Sequence, residues 1–466
     1  MGRAGKKSAV PKATEPMVSE RKPEQQPEPS KAADDSQQHA WRVTSEVDAN
    51  PGDVVYSEAP ILTVSQKTAT FTLEDLQRWL IKFGLLDADA RMAVAAMPYH
   101  KKAASGGILA GLVGKRGENV QEKLRVPNGM SPDEAWAVLR IVERNAIEVQ
   151  TAEHQWDSML LSGISAVEHS CLPNAALSLG NQSGVVEVRA LKALAAGEMV
   201  TISRLNEEQL LSSTSERRKQ LEVRRQLECA CTRCAGNDVL RAFRCPKQTC
   251  KGLLHAVGAS DCLSSCSYCG KAPTDHTTSE ILAAERRLLD VSPEARRNLQ
   301  KVAGSLSIAV QKRDAAGFSS ASEVAMHALG KSASTASENK QVDASHHAVL
   351  RLAKDAAAVR TVLGDSLAAT GRGELAAKMW RAAARELKEG IDNEYRAFPL
   401  PRHGRILDLV GLAGLHGRAG CETEARACFA EAFAEIDLVL WSGPQGRREE
   451  LQTIRENIET MLAAAM

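Results

Sequence analysis

Three cysteines lie close together near the middle of the chain, at a spacing that can bind a metal ion. Cys229, Cys231 and Cys234 form the pattern C-x-C-x-x-C. Three thiolates on one loop can occupy three corners of a zinc tetrahedron, because tight turns between them aim backbone amides at the sulfurs. The pattern therefore predicts a zinc site whose fourth ligand comes from another segment.

Two further cysteine pairs follow and predict a second metal site. Four residues separate Cys245 from Cys250, and two separate Cys266 from Cys269. Each pair is a suitable half of a four-thiolate site. Gly and Lys flank both pairs, whereas unreactive core cysteines have apolar neighbours. Cys262 is an alternative ligand for this site.

The overall composition is that of a chain large enough for two or three packed domains. It has 466 residues, 43% of them apolar and 25% charged, and a formal net charge of +1. Balanced charge gives no direct signal for nucleic acid or for an anionic membrane surface. No run approaches the ~20 apolar residues of a membrane span, and no secretory signal is recognisable. We therefore expect a soluble protein of the cytoplasm or nucleus, where reduced cysteines bind metal.

The first part of the chain divides into a polar tail and a β-containing segment. Residues 1–40 are rich in Pro, Lys, Glu, Gln and Ser and contain almost no large apolar side chains, which predicts a disordered tail. From Trp41 the composition changes, and residues 53–62 are predicted as a strand after a Pro-Gly turn. Further short strands are predicted over residues 175–179, 185–188 and 199–202.

A mostly helical segment is predicted over residues 72–150. Its clearest start signal is Ser131-Pro132-Asp133-Glu134, which is predicted as a capping box with Pro132 at the first helical position. Apolar residues then recur at helical spacing, namely Ala135, Val138, Leu139, Val142, Ala146 and Val149.

Beyond residue 271 the chain becomes Ala-rich and contains an internal repeat. Gly371, Ala376, Trp380, Ala383 and Leu387 recur 49 residues later as Gly420, Ala425, Phe429, Ala432 and Ile436. This pattern suits the second helix of a helical hairpin and resembles tetratricopeptide-like repeats, although their usual period is ~34 residues. Cys421 and Cys428 lie on the repeat helix and are expected in an ordinary core.

The order of several motifs resembles that of one protein family. Residues 168–174, Glu-His-Ser-Cys-Leu-Pro-Asn, are similar to the N-H-S-C-x-P-N motif of SET-domain protein lysine methyltransferases, particularly the SET and MYND domain subfamily. Residues 193–203 resemble the strand I-x-A-G-E-E-I-x-I-S-Y, and residues 215–221 lead into the post-SET C-x-C-x-x-C. The capped helix ends like the family helix with N-A-F, and residues 53–62 match the first SET strand pair. The resemblance spans residues 41–271.

The resemblance implies an α+β protein with a SET-type β-fold, an inserted helical segment, a Cys-rich zinc-binding post-SET region and a C-terminal all-α tetratricopeptide-like domain. The implied divisions are a disordered tail at 1–40, a SET-like domain at 41–228 with the helical insertion at about 70–150, a post-SET and Cys-rich zinc region at 229–271, a helical linker at 272–340, and the tetratricopeptide-like domain at 341–466. No MYND-type zinc knuckle interrupts residues 63–130, so that module is expected to be absent.

The resemblance also supplies the missing zinc ligand. In the family this ligand is the cysteine of the N-H-S-C motif, which is Cys171 here. It would join Cys229, Cys231 and Cys234 and tie the post-SET segment to the SET core. With the second cysteine group, about two zinc ions per chain are expected.

The family's catalytic tyrosines are replaced. The enzymes transfer a methyl group from S-adenosyl-L-methionine to a neutral lysine amine, and tyrosines orient that amine. Here the I-S-Y motif ends in Arg204, Arg225 aligns with the tyrosine of Y-x-F-x-C-x-C, and Leu227 replaces the phenylalanine that packs on adenine. A guanidinium beside a sulfonium opposes the reaction, because like charges repel strongly in a low-dielectric site. No catalytic residue is therefore assigned.

The cofactor positions implied by the resemblance are mixed. Asn145 and His169 match residues that contact S-adenosyl-L-methionine, whereas Glu168 stands where asparagine is usual. Alternatively, Asn145 packs near its helix end and His169 is a hydrogen-bonded buried histidine. The family's N-terminal G-x-G has no counterpart in residues 40–45, and Tyr56 is the candidate substitute tyrosine.

The predicted function is S-adenosyl-L-methionine-dependent protein-lysine N-methyl transfer with degenerate catalytic positions. The substrate would be a histone or another lysine-containing protein, and the chain a monomer. The alternative is a catalytically inactive SET and zinc scaffold that binds protein partners in the cleft between the SET core and the helical repeats. A third hypothesis is a zinc-stabilised helical-repeat adaptor whose SET fold is a remnant.

Overall fold

The computed structural model describes residues 44–68, 71–99, 108–113, 120–152, 155–180, 184–312, 315–439 and 445–463. The predicted tail at residues 1–40 lies outside this part, as do residues 40–43 of the segment that replaces the family's G-x-G.

The first half of the chain contributes the strands, which form small sheets. The strands are β1 Val54–Glu58, β2 Leu62–Gln66, β3 Ile147–Ala152, β4 Gln155–Leu160, β5 Glu168–His169, β6 Ala175–Leu179, β7 Val186–Ala190, β8 Thr201–Ile202, β9 Asn237–Arg244 and β10 Leu253–Val257. The sheet orders are β1-β7-β6, β2-β4-β3, β5-β8 and β10-β9. The β5-β8 pair is parallel and sets His169 opposite Ile202, so the E-H-S-C segment lies beside the segment that leads into Arg204.

Nine helices are described before residue 240. They are α1 Leu73–Gly84, α2 Ala88–Ala95, α3 Ile108–Leu112, α4 Val120–Lys123, α5 Pro132–Asn145, α6 Ser162–Ala166, α7 Glu207–Leu210, α8 Thr214–Arg225 and α9 Thr232–Ala235. The predicted start of α5 is confirmed, since the Ser131 hydroxyl accepts a hydrogen bond from the Glu134 amide at 3.1 Å. Its apolar face packs with Trp79 and Leu80 of α1 in a buried core.

The strand predictions hold in part. The strand β7 overlaps the predicted segment 185–188, and β8 covers only Thr201–Ile202 of the segment 199–202. The predicted helical segment 72–150 is wrong at its end, because residues from Ile147 onward form β3. Residues 175–179 form β6 as predicted. The single strand predicted over residues 53–62 is wrong, because β1 ends at Glu58 and β2 begins at Leu62. Pro60 lies between them and has no backbone N–H for the ladder, which accounts for the break.

The secondary-structure elements described after residue 270 are all helices, so the protein is a mixed α+β structure with a helical C-terminal region. The helices are α10 Asp275–Gln311, α11 Ala315–Glu338, α12 His347–Ala369, α13 Gly373–Ala397, α14 His403–Arg418, α15 Glu422–Val439 and α16 Gln445–Ala463. None of the helices found in the described ranges is long and apolar enough to cross a membrane.

The repeat seen in the sequence falls on α13 and α15. Gly371 and Gly420 precede these helices, and each has a backbone φ of +76° that favours glycine. The equivalent Ala383 and Ala432 are fully buried in one core. Small residues at these positions allow each helix to pack closely on its neighbour.

The helices α10 and α11 span the predicted helical linker, and α10 packs against the β9-β10 hairpin. Ile281, Leu288 and Leu299 of α10 share a buried core with Phe243 and Leu254 of the β9-β10 hairpin. The helical region therefore begins against the second group of cysteines.

Acidification is expected to destabilise the fold through His347. This side chain is buried and stacks on His346, with ring centroids 4.5 Å apart. Burial, reinforced by the charges of His346, Arg351 and Arg241, lowers the pKa of His347 well below its ordinary value. The unfolded chain therefore binds a proton that the folded chain does not. Stability is retained above about pH 6.5 and is lost as the pH falls below it.

The variant His347→Gln tests whether His347 causes the predicted loss of stability at low pH. Glu216 faces the ring at 3.5 Å and Arg217 lies near it. We expect the loss in free energy of unfolding from about pH 7 to about pH 5.5 to be smaller by about 1 kcal/mol in the variant, as measured by urea titration. His276→Gln, at a side chain that is 82% exposed, should leave the slope unchanged. An unchanged slope in His347→Gln would refute the assignment.

Candidate functional site

Four thiols from two segments meet at one point. The Sγ atoms of Cys171, Cys229, Cys231 and Cys234 all lie within 4.8 Å of one another. The Cys171 Sγ is 3.5 Å from that of Cys234 and 4.0 Å from that of Cys229. A tetrahedral zinc ion with Zn–S bonds of ~2.3 Å sets its sulfurs about 3.8 Å apart. The donor set and the spacing therefore fit a zinc ion.

Hydrogen bonds to sulfur support this first cysteine cluster. The Cys171 amide donates to the Cys231 Sγ at 3.4 Å, and Arg217 donates to the Cys234 Sγ at 3.6 Å. Arg217 is 1% exposed. Four thiolates around a divalent ion leave a net charge of about −2, which a buried guanidinium offsets.

Two more arginines hold the backbone of the same cluster. Arg218 donates to the Cys229 carbonyl at 3.1 Å, and Arg233 donates to the Cys171 carbonyl at 2.9 Å. These arginines were not among the residues assigned from the sequence. Arg233 lies within the C-x-C-x-x-C motif and Arg218 lies eleven residues before Cys229, so closeness to the motif was the available signal.

The second cysteine cluster closes the end of the β9-β10 hairpin. The Cys245 and Cys269 sulfurs are 3.8 Å apart, the Cys250 and Cys266 sulfurs are 3.6 Å apart, and all four lie within 4.8 Å. A Cβ atom on Gly252 would lie 2.4 Å from the Cys266 Sγ, so only glycine fits beside this cluster. This donor set also fits zinc.

The remaining three cysteines lie outside both clusters. Cys262 is exposed, Cys421 is half-buried and Cys428 is buried on α15.

Arg204 is anchored to the backbone of a short helix. Its Nη2 donates to the carbonyls of Ile164 at 3.0 Å, Ser165 at 3.1 Å and Val167 at 3.3 Å. These carbonyls belong to the C-terminal end of α6 and the residue after it, where a cation is favoured. Burial, together with the neighbouring Arg225, lowers the pKa of Arg204 to about 9, so the guanidinium is charged at neutral pH.

Arg225 occupies the corresponding end of α5. Its Nη1 donates to the carbonyls of Ala146 at 2.6 Å and Glu143 at 3.3 Å. Its Nη2 forms an ion pair with the Glu148 carboxylate at 2.7 Å. Arg204 and Arg225, which the sequence resemblance predicts at the positions of family tyrosines, therefore both bind backbone carbonyls at helix C-termini.

Asn145 has its amide bound within the protein. The side chain is 2% exposed, and its Nδ2 donates to the carbonyls of Pro98 and Ile141, both at 2.9 Å. Asn145 therefore has a packing role near the helix end, which is one of the two roles predicted for it.

Both ring nitrogens of His169 also have partners within the protein, whereas the Glu168 side chain is exposed. The His169 Nε2 lies 3.4 Å from the Cys171 Sγ, and its Nδ1 accepts a hydrogen bond from the Arg204 amide at 3.0 Å. Burial lowers the pKa of His169 to about 4. The side-chain nitrogens of Asn145 and His169 therefore have partners inside the protein.

Tyr56 lies at the opposite end of α6 from Arg204. A Cβ atom on Gly163 would lie 2.0 Å from the Tyr56 hydroxyl, so the ring packs directly on that glycine. Glu58 accepts hydrogen bonds there from the Ser162 hydroxyl at 2.8 Å and the Gly163 amide at 3.1 Å. The carboxylate thus caps the N-terminus of α6, while Arg204 binds its C-terminus.

The first cysteine cluster also contacts the helical region. Phe398 and Leu400, between α13 and α14, share a buried core with Cys171 and Cys234. Glu207 accepts hydrogen bonds from the backbone amides of His403 and Gly404, at 3.0 and 2.8 Å. These contacts join the segments around the first cysteine cluster to the helical region.

Comparison with known proteins finds similarity over part of the chain, and no family model matches it. Histone-lysine N-methyltransferase SMYD3 of Mus musculus is 32% identical over 122 residues, which is 26% of this chain and 27% of the relative. The Homo sapiens protein of the same name gives the same identity and coverage. Histone-lysine N-methyltransferase ASHR1 of Arabidopsis thaliana is 31% identical over 100 residues, 20% of each chain. The chain thus spans about a quarter or less of the length of these relatives, and the similarities support a relationship to SET-domain methyltransferases at that level only.

Proposed function

We propose that this chain is a SET-type protein that binds protein partners and does not transfer methyl groups. The observation that carries the proposal is the placement of Arg204 and Arg225, whose guanidiniums are fixed by backbone carbonyls at the family tyrosine positions. A lysine amine must be neutral to attack a sulfonium, and two fixed cations nearby disfavour both the cofactor and the transition state.

In this proposal the two cysteine clusters hold zinc and keep the scaffold together. The helical region offers surfaces for a partner, including an open groove of about 800 Å³ between α13 and α15. Arg385 and Lys388 of α13 and Glu424 and Glu431 of α15 lie along it. Such a mixed set of charges is suited to a polar peptide surface.

A second candidate is a protein-lysine methyltransferase. The similarity to two enzymes named histone-lysine N-methyltransferase favours it. A substrate among histones or other lysine-containing proteins would follow from that candidate.

Placing tyrosine at residues 204 and 225 tests whether the chain is a partner-binding scaffold or a methyltransferase. Arg204→Tyr with Arg225→Tyr removes the fixed cations and supplies two hydroxyls. We expect no methyl label transferred from S-adenosyl-L-methionine to histones or bulk protein by the natural chain, and detectable transfer by the double variant. Calorimetric titration with the same cofactor should show binding only in the double variant.

The matched control is Arg286→Tyr with Arg297→Tyr, two exposed arginines of α10, which changes the charge equally. This control should resemble the natural chain in both assays. Saturable cofactor binding together with label transfer by the natural chain would refute the scaffold and establish the second candidate.

A further inference from the structure

A groove runs between α10 and α11 and encloses about 640 Å³. Its apolar lining includes Val302, Ile308 and Ala309 of α10, and Ala321, Val324 and Ala328 of α11. On each helix these residues include pairs seven positions apart, the spacing of a helix-packing seam. Val302 and Ala309 are buried and Ala321 and Ala328 pack against the core, so these pairs form the floor of the groove, whereas Ile308 and Val324 are exposed above it.

Large apolar side chains are exposed along the groove. Ile308 and Val324 are each 53% exposed, and the neighbouring Met326 is 54% exposed. A group of exposed apolar side chains on one hairpin marks an interaction surface. A third helix that lies along the groove would cover these exposed side chains by ridges-into-grooves packing.

The charges along the groove have one sign. Lys301, Lys312, Lys331 and His327 line it, and its described lining contains no carboxylate. The Lys331 Nζ lies 3.9 Å from Glu294. Lys301 and Lys312 are exposed and have no ion-pair partner within the described ranges. The groove is therefore apolar at its floor and positive at its rim.

We propose that this groove binds an acidic amphipathic helix of a partner protein. Apolar side chains of that helix would contact Ile308 and Val324, and its carboxylates would face Lys301 and Lys312. The lined part of α10, residues 295–311, is about 26 Å long, which accommodates roughly five helical turns. This proposal is independent of whether the chain transfers methyl groups.

The charge pattern selects this occupant over two others. A second copy of the same hairpin would set lysines against lysines, which costs binding energy. Residues 1–40 contain almost no large apolar side chains to fill the floor. An acidic amphipathic helix would place apolar side chains on the floor of the groove and carboxylates beside the lysines of its rim.

The experiment titrates the full chain into two fluorescein-labelled helical peptides and follows anisotropy. Both peptides carry Leu at heptad positions, and their flanking positions are Glu in one and Lys in the other. We expect saturable binding of the Glu peptide and at least about tenfold weaker binding of the Lys peptide. Equal binding of the two peptides, or no binding of the Glu peptide, would overturn the proposal.

Variants locate the binding on the groove. Lys301→Glu with Lys312→Glu should weaken binding of the Glu peptide about tenfold, and Val324→Asp should abolish it. Lys340→Glu with Lys378→Glu changes the charge equally at exposed lysines outside the groove and should leave binding unchanged. Equal loss in the two lysine pairs, or a dimer that Val324→Asp dissociates, would refute the acidic-partner assignment.

Discussion

Replacing Cys171 with serine is expected to reduce the zinc content from about two ions to about one and to lower the free energy of unfolding by about 4 kcal/mol or more. Cys171 would be the one ligand from outside the C-x-C-x-x-C loop, because it lies 58 residues before Cys229. Without it the three thiols of the C-x-C-x-x-C loop lose their tie to β5. The core that these sulfurs share with Phe398 and Leu400 should then open as well.

Elemental analysis and urea unfolding measure this effect together. Cys250→Ser should also remove about one ion, but at the second cysteine cluster, so the two losses should add in the double variant. Cys262→Ser is the matched control, because Cys262 is exposed and outside both clusters, and it should retain about two ions. A Cys171→Ser protein that keeps two ions would contradict the ligand assignment.

The cysteine clusters could be predicted because their signal is local. C-x-C-x-x-C and the two downstream pairs place most ligands within a few residues of each other, and backbone turns then bring their sulfurs together. Cys171 needed the family resemblance, since nothing in its own neighbourhood points to residues 229–234. The helix start at Ser131 could also be predicted from the sequence, because an N-cap residue bonds to a backbone amide within three residues of itself.

The carbonyl partners of Arg204 and Arg225 could not be predicted from the sequence. The sequence indicated only that tyrosine was missing at residues 204 and 225. The carbonyls that bind Arg204 lie 37 to 40 residues earlier in the chain, and those that bind Arg225 lie 79 to 82 residues earlier. Which carbonyls a guanidinium reaches depends on how α5, α6 and α8 pack, and that packing has no local pattern. The same reason applies to Asn145, whose partner Pro98 is 47 residues away.

Breaking the ion pair between Arg241 and Glu285 is expected to cost about 3–5 kcal/mol of folding free energy. The pair joins the β9-β10 hairpin to α10 through two contacts of 2.7 Å, and both residues are buried. Burial alone would raise the pKa of Glu285, but hydrogen bonds from Arg241 and His346 lower it to about 2. Arg241→Met therefore leaves a buried carboxylate with His346 as its remaining partner.

The matched control is Asp261→Asn, because Asp261 also contacts Arg241, at 3.2 Å, but is 72% exposed. Its loss should cost at most about 1 kcal/mol, since water screens an exposed pair. The double variant Arg241→Met with Glu285→Leu should be more stable than Arg241→Met alone, because it removes the unpaired buried charge. Urea unfolding followed by tryptophan fluorescence measures all three. If Arg241→Met and Asp261→Asn cost the same, the hairpin is not held to α10 by this pair, and the shared apolar core around Phe243 and Leu254 must hold it instead.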